Sequence, residues 1–147
     1  MQICNQIFFE EIERLLSEGG QAEFLLRGNS MRPLLRDGRD VVIVAPIQDE
    51  VKVGDVVLFR YRGRHILHRI IGRCGSRLTL AGDGNYRLLE EASVTDLAGR
   101  LIAVRRPSGR IIRCSDRSWR FWSRAWLSLP PFLRRVILGI ARRLRLF

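Results

Sequence analysis

The sequence predicts a small, mainly antiparallel β fold with a short N-terminal helix and a C-terminal amphipathic helix. Three observations predict it. Residues 21–104 break into short β-type runs separated by Gly and Asp turn signals. No helical pattern of roughly 10–15 residues separates those runs, which disfavours a parallel βαβ sheet. Apolar residues at helical spacing occur only towards the two ends. A chain of 147 residues, 46% of them hydrophobic, can fill one core, and wholesale disorder is excluded. Three segments follow: a helical lead-in at 1–20, a β domain at 21–114 and a basic, aromatic tail at 115–147.

Residues 5–18 read as an amphipathic helix, because Ile7, Phe8, Glu11, Ile12, Leu15 and Leu16 include the spacings of an apolar stripe and Gly19-Gly20 ends it. The expected strands are Ala22–Leu26, Val41–Ala45, Asp55–Tyr61, His65–Gly72, Leu78–Ala81 and Leu97–Arg105, with a last one at Ile111–Arg113. Turns fall at Arg36-Asp37-Gly38, Tyr61-Arg62-Gly63-Arg64, Cys74-Gly75-Ser76 and Ser108-Gly109. From Ser115 the composition shifts. Trp119, Trp122, Trp126 and Phe121 lie here, Pro130-Pro131 breaks the chain, and a helix is expected over Phe132–Phe147. It carries Phe132, Leu133, Val136, Ile137, Ile140 and Leu144 on one side and Arg134, Arg135, Arg142 and Arg145 opposite, although Leu138 and Leu146 interrupt the polar face.

Charge is distributed unevenly. The chain has a formal net charge of +11, and Lys52 is its one lysine. Residues 1–104 hold 13 Arg and Lys52 against 14 acids, whereas residues 105–147 hold 12 Arg against Asp116 alone. A uniformly basic nucleic-acid-binding domain is therefore disfavoured. Cys4, Cys74 and Cys114 form no C-x-x-C pair, so neither a disulfide framework nor a zinc site is indicated, and reduced thiols are expected. No apolar run reaches the roughly 18–20 residues of a spanning helix. Glu10, Glu11 and Glu13 interrupt any signal-peptide pattern at the N-terminus.

The segment Arg27-Gly28-Asn29-Ser30-Met31-Arg32-Pro33-Leu34 carries the strongest chemical signal. Glycine before a serine permits a sharp turn with open amide groups. Ser30 is a candidate nucleophile whose own N–H would help to form an oxyanion hole; the plainer reading of Gly-x-Ser is a turn. A nucleophilic serine needs a base, and the chain offers only Lys52, His65 and His68. An exposed lysine with its ordinary pKa of ~10.4 is a poor base. His65 and His68 are three apart, so on one strand they face opposite sides and at most one can face the serine. A neutral histidine suits base work near pH 7, and its usual third partner is a carboxylate. Asp83, in Gly82-Asp83-Gly84-Asn85, is the candidate; a simple hairpin turn is the competing reading.

Taken in order, Gly28-x-Ser30-Met31-x-Pro33, Val53-Gly54-Asp55-Val56-Val57-x-Phe59, His68-Arg69-Ile70-Ile71-Gly72, Gly82-Asp83-x-Asn85 and Gly99-Arg100-Leu101 resemble the signal peptidase and SOS-repressor clan of serine peptidases. The resemblance covers about residues 22–105 and is closest to the Ser/His branch of type I signal peptidases. It implies a small antiparallel β fold of that kind, with Ser30 as nucleophile and oxyanion donor, His68 as general base and Asp83 as the acid that orients the histidine. In the Ser/Lys branch a lysine stands where His68 stands here. His65 matches no family position and reads as a surface or packing residue, Asp55 as structural, and Met31 and Pro33 as packing beneath the serine. The implied reaction is hydrolysis of a leader or precursor peptide, held extended, after small residues at the first and third positions before the cut. No metal or cofactor is required.

The family usually carries a spanning helix before the serine block, whereas this chain has an acid-bearing lead-in. The expected location is peripheral, on the cytoplasmic side of a membrane, with 115–147 on an anionic surface. Two other functions compete. One is a catalytically silent peptide-binding module of the same fold. The other, a transcriptional repressor of the SOS type, is disfavoured by the short lead-in, which has no room for a helix-turn-helix.

Overall fold

A computed structural model describes residues 2–144, with side chains from residue 7 onward. Arg145, Leu146 and Phe147 of the expected tail helix lie outside the described residues, as does the side chain of Cys4. The fold is mainly antiparallel β. Helix α1 (Gln2–Ser17) precedes eight strands: β1 (Ala22–Leu25), β2 (Val41–Ala45), β3 (Val56–Tyr61), β4 (Arg64–Cys74), β5 (Arg77–Gly82), β6 (Asn85–Ser93), β7 (Leu97–Arg105) and β8 (Ile111–Arg113). Helices α2 (Arg117–Ser128) and α3 (Pro131–Arg143) follow. The strands form one sheet in the order β1-β2-β7-β3-β4-β5-β6, with β8 also paired to β7.

The run Val56-Val57-Leu58-Phe59 has no polar alternation because β3 is buried on both faces. Val56 and Leu58 enter one core cluster with Met31, Leu35, Val42, Val44, Leu101 and the α1 residues Ile12 and Leu16. Val57 and Phe59 enter a second cluster with Val51, Ile70, Leu78 and Leu80. Arg62 (φ 49°) and Gly63 (φ 75°) both take positive φ between paired Tyr61 and Arg64. That is the turn whose twist matches a two-residue hairpin.

Two expectations are corrected here. Residues 85–93 are not among the expected strands, yet they form β6, paired antiparallel with β5. Its Leu-Leu-Glu-Glu-Ala run has weak β propensity, and pairing with β5 overrides it. The tail forms two helices rather than one. Pro130 and Pro131 separate them, and Pro131 begins α3 at a position where a missing N–H costs little.

Candidate active site

The loop between β1 and β2 carries Ser30. Its backbone is fixed from several sides. Gly28 N–H donates to Asp37 Oδ1 at 2.7 Å, Leu35 N–H to the Met31 carbonyl at 3.1 Å, and Gly38 N–H to the Leu26 carbonyl at 2.8 Å. Met31 and Leu35 are buried in the core on either side of the cis peptide Arg32–Pro33, so the loop is pinned by apolar anchors. Met31 packs as the sequence leads one to expect; Pro33 is half-buried.

The β5–β6 turn, Asp83-Gly84, presses against this loop. Gly84 N–H donates to the Ser30 carbonyl at 2.8 Å. A Cβ on Gly82 would lie 2.3 Å from the Ser30 carbonyl oxygen and 3.0 Å from His68 Nε2. A Cβ on Gly84 would lie 2.9 Å from the Asn29 carbonyl oxygen. Neither glycine has positive φ. Both are required because the Ser30 loop comes too close for any side chain, and Gly82 lies between the Ser30 carbonyl and His68 Nε2.

His68 lies on β4, opposite Val57 of β3, and is almost fully buried. Its Nδ1 is 2.9 Å from Glu90 Oε2, and both side chains are buried. A proton on Nδ1 donated to this carboxylate leaves Nε2 as the bare nitrogen on the Ser30 side. The carboxylate on the histidine is thus Glu90 and not Asp83. Asp83 is occupied elsewhere: Arg69 Nε donates to its Oδ1 at 2.8 Å and Arg69 Nη2 to its Oδ2 at 2.7 Å. The two side chains are 1% and 2% exposed. Arg69 also donates to the Gly54 carbonyl at 2.8 Å. Adjacent residues on β4 point to opposite faces. His68 and Arg69 therefore reach different carboxylates, and Asp83 acts as the clamp that holds the turn.

Other groups fall where the sequence placed them or close to it. Lys52 is exposed on the turn before β3. His65 stacks on Phe9 of α1 with ring centroids 4.7 Å apart and sits 2.7 Å from Glu13, on the opposite side of β4 from His68. Asp55 accepts from Lys52 N–H at 2.9 Å and from Arg100 at 3.1 Å, a structural role. Among the described residues neither the Ser30 hydroxyl nor the Ser30 N–H makes a hydrogen bond, and no group of residues could hold a metal ion. Sequence reasoning missed Glu90, Arg69 and the two α2–α3 contacts to the turn. Trp126 Nε1 donates to the Asp83 carbonyl at 3.0 Å, and Tyr86 Oη donates to the Pro131 carbonyl at 2.8 Å. A strand after the Asp83-Gly84 turn was the signal that could have led to Glu90. A scan against family models finds no match to this chain, and a search of curated proteins finds no relative.

Proposed function

We propose that this protein is a serine endopeptidase of the signal peptidase type, acting on a leader or precursor peptide. The observation that carries this reading is the junction at Gly82, where the Ser30 backbone and His68 Nε2 meet while Glu90 holds Nδ1. Ser30 Oγ attacks the peptide carbonyl and its proton passes to Nε2. The oxyanion is met by the Ser30 N–H, which has no acceptor among the described residues. Nε2 then gives the proton to the leaving amine, and the acyl-enzyme is hydrolysed by a water that Nε2 deprotonates. Glu90 on Nδ1 orients the ring and places a carboxylate against the imidazolium formed in each half-reaction.

A fluorophosphonate probe tests the reading. It should modify Ser30, found by peptide mass mapping, and Ser30→Ala and His68→Ala should each abolish labelling while remaining folded. Unlabelled wild-type protein would refute the enzyme. The second reading, a silent peptide-binding module, is favoured by one observation: the Ser30 hydroxyl is not hydrogen-bonded to His68. Stoichiometric peptide capture with no acyl-enzyme by mass spectrometry would select it.

A further inference from the structure

Helices α2 and α3 carry an unusual surface. A helix on a folded body normally turns its apolar stripe inward. α3 does the reverse. Ala141 is its one buried residue, whereas Phe132 is 71% exposed, Ile140 52%, and Leu133, Val136, Ile137 and Leu144 are also open. At helical spacing these six form one continuous stripe, turned about a third of the circumference away from Ala141. α2 buries Trp119, Ser123 and Trp126, and exposes Phe121 at 64% and Trp122 at 60%. The two exposed rings pack edge to face with centroids 5.4 Å apart. Around them stand Arg117, Arg120 and Arg124 of α2, and α3 adds Arg135, Arg142 and Arg143, while Arg134 is turned onto the Leu127 carbonyl and the Tyr86 ring. Neither helix contains an acidic residue.

We propose that this helix pair is a docking surface for an anionic phospholipid bilayer, with the α3 stripe, Phe121 and Trp122 in the headgroup–acyl boundary and the arginines on lipid phosphates. An open apolar stripe bordered by arginine is what an interfacial helix presents. No helix of the described residues is long and apolar enough to cross a membrane, so this surface lies on the bilayer rather than through it. A second copy of the chain is a poor occupant, because pairing these faces would bring together two sets of arginines with no acid in either helix. Nucleic acid would satisfy the arginines and leave the aliphatic stripe of α3 in water. The same helices hold the Asp83 turn through Trp126 and Tyr86. A docked bilayer therefore lies beside the turn that contacts Ser30, which on the peptidase reading is where a membrane-delivered precursor would arrive.

The test is flotation of the whole protein with phosphatidylcholine vesicles, with and without phosphatidylglycerol, and with brominated lipid as a tryptophan quencher. It reads binding alone, so its failure leaves the peptidase reading untouched. Trp119 and Trp126 are buried in the body, so contact quenching falls on Trp122. The expected result is binding that requires phosphatidylglycerol and weakens with added salt. Bromolipid quenching should disappear in Trp122→Phe while flotation persists. Arg120→Gln with Arg124→Gln should lower partitioning roughly 10–30-fold. Phe132→Ser with Ile140→Ser, both at exposed positions, should abolish flotation with thermal unfolding unchanged. The proposal is overturned by absence of flotation with anionic vesicles, by undiminished flotation of the Phe132/Ile140 variant, by dimerisation through this face without lipid, or by duplex DNA displacing vesicles from the wild type.

Discussion

One buried carboxylate, Asp83, sits in the β5–β6 turn and another, Glu90, on β6, and the structure gives them different work. Asp83 neutralises Arg69 at two oxygens, in a pair that is almost wholly removed from water. Asp83→Asn removes the charge and one acceptor but leaves the guanidinium buried. Breaking a buried pair from one side costs about 3–5 kcal/mol. At roughly 2–4 °C per kcal/mol for a chain near this size, the melting temperature should fall by roughly 6–20 °C. Glu90→Gln keeps the shape of the side chain, and its amide can also donate to His68 Nδ1, which would move the ring proton to Nε2. A base with the wrong nitrogen protonated loses a factor of about 10²–10⁴ in rate. Thermal unfolding and the rate of fluorophosphonate labelling of Ser30 should therefore separate the two variants. Asp83→Asn should lose mainly stability, and whatever fraction stays folded should still label. Glu90→Gln should lose mainly labelling. If Asp83→Asn melts within a degree or two of wild type and labels slowly, or if Glu90→Gln labels at the wild-type rate, the assignment of roles is wrong.

Three further outcomes are expected. Gly82→Ala places a methyl 2.3 Å from the Ser30 carbonyl oxygen; the overpacking should cost about 1–3 kcal/mol, and the displaced loop should slow Ser30 labelling by about 10²-fold, both read in the assays above. Burial raises the Asp40 carboxyl, but hydrogen bonds from Arg39, Arg106 and the Arg36 backbone outweigh it and hold the group below the usual carboxylate range. Its folded pKa is thus below its unfolded one, so its contribution to stability is present above the ordinary value of about 3.9 and is lost as pH falls through the lower folded value. Melting temperatures should drop below about pH 4 in wild type, and less steeply in Asp40→Asn. Burial pushes the Cys114 thiol up to about 12, whereas Cys74 is exposed; iodoacetamide at pH 8 should modify Cys74 and spare Cys114 in the folded protein, as peptide mapping will show.

Legibility in the sequence followed the range of the forces involved. Strand β3 could be read because four consecutive apolar residues require burial on both faces, wherever the partners come from. The β3–β4 hairpin could be read because Arg62-Gly63 sets its own twist. A count of possible bases leaves Lys52, His65 and His68, and strand alternation lets at most one histidine face Ser30; the choice of His68 rests on the resemblance of its motif to the signal peptidase clan. Strand β6 was hidden, since Leu88, Leu89, Glu90 and Glu91 do not favour extended backbone on their own. Without β6, Glu90 has no place beside His68, and Asp83, the acid of the Gly82-Asp83-x-Asn85 motif, stands in for it.

The sequence by itself determined the antiparallel β class, the bracketing helices, the candidate pair Ser30 and His68, and the confinement of net charge to the last 43 residues. The class, the helices and the charge follow from local pattern or composition, whereas the pairing of Ser30 with His68 rests on the resemblance of the ordered motifs to a peptidase clan. Only the tertiary structure decided which carboxylate serves which basic side chain. Neighbouring residues on a strand point to opposite faces, so His68 meets Glu90 from an unforeseen strand while Arg69 takes Asp83. The tertiary structure also decided which way the tail faces: α3 buries Ala141 alone among its residues, and the apolar stripe is left outward beside the arginines.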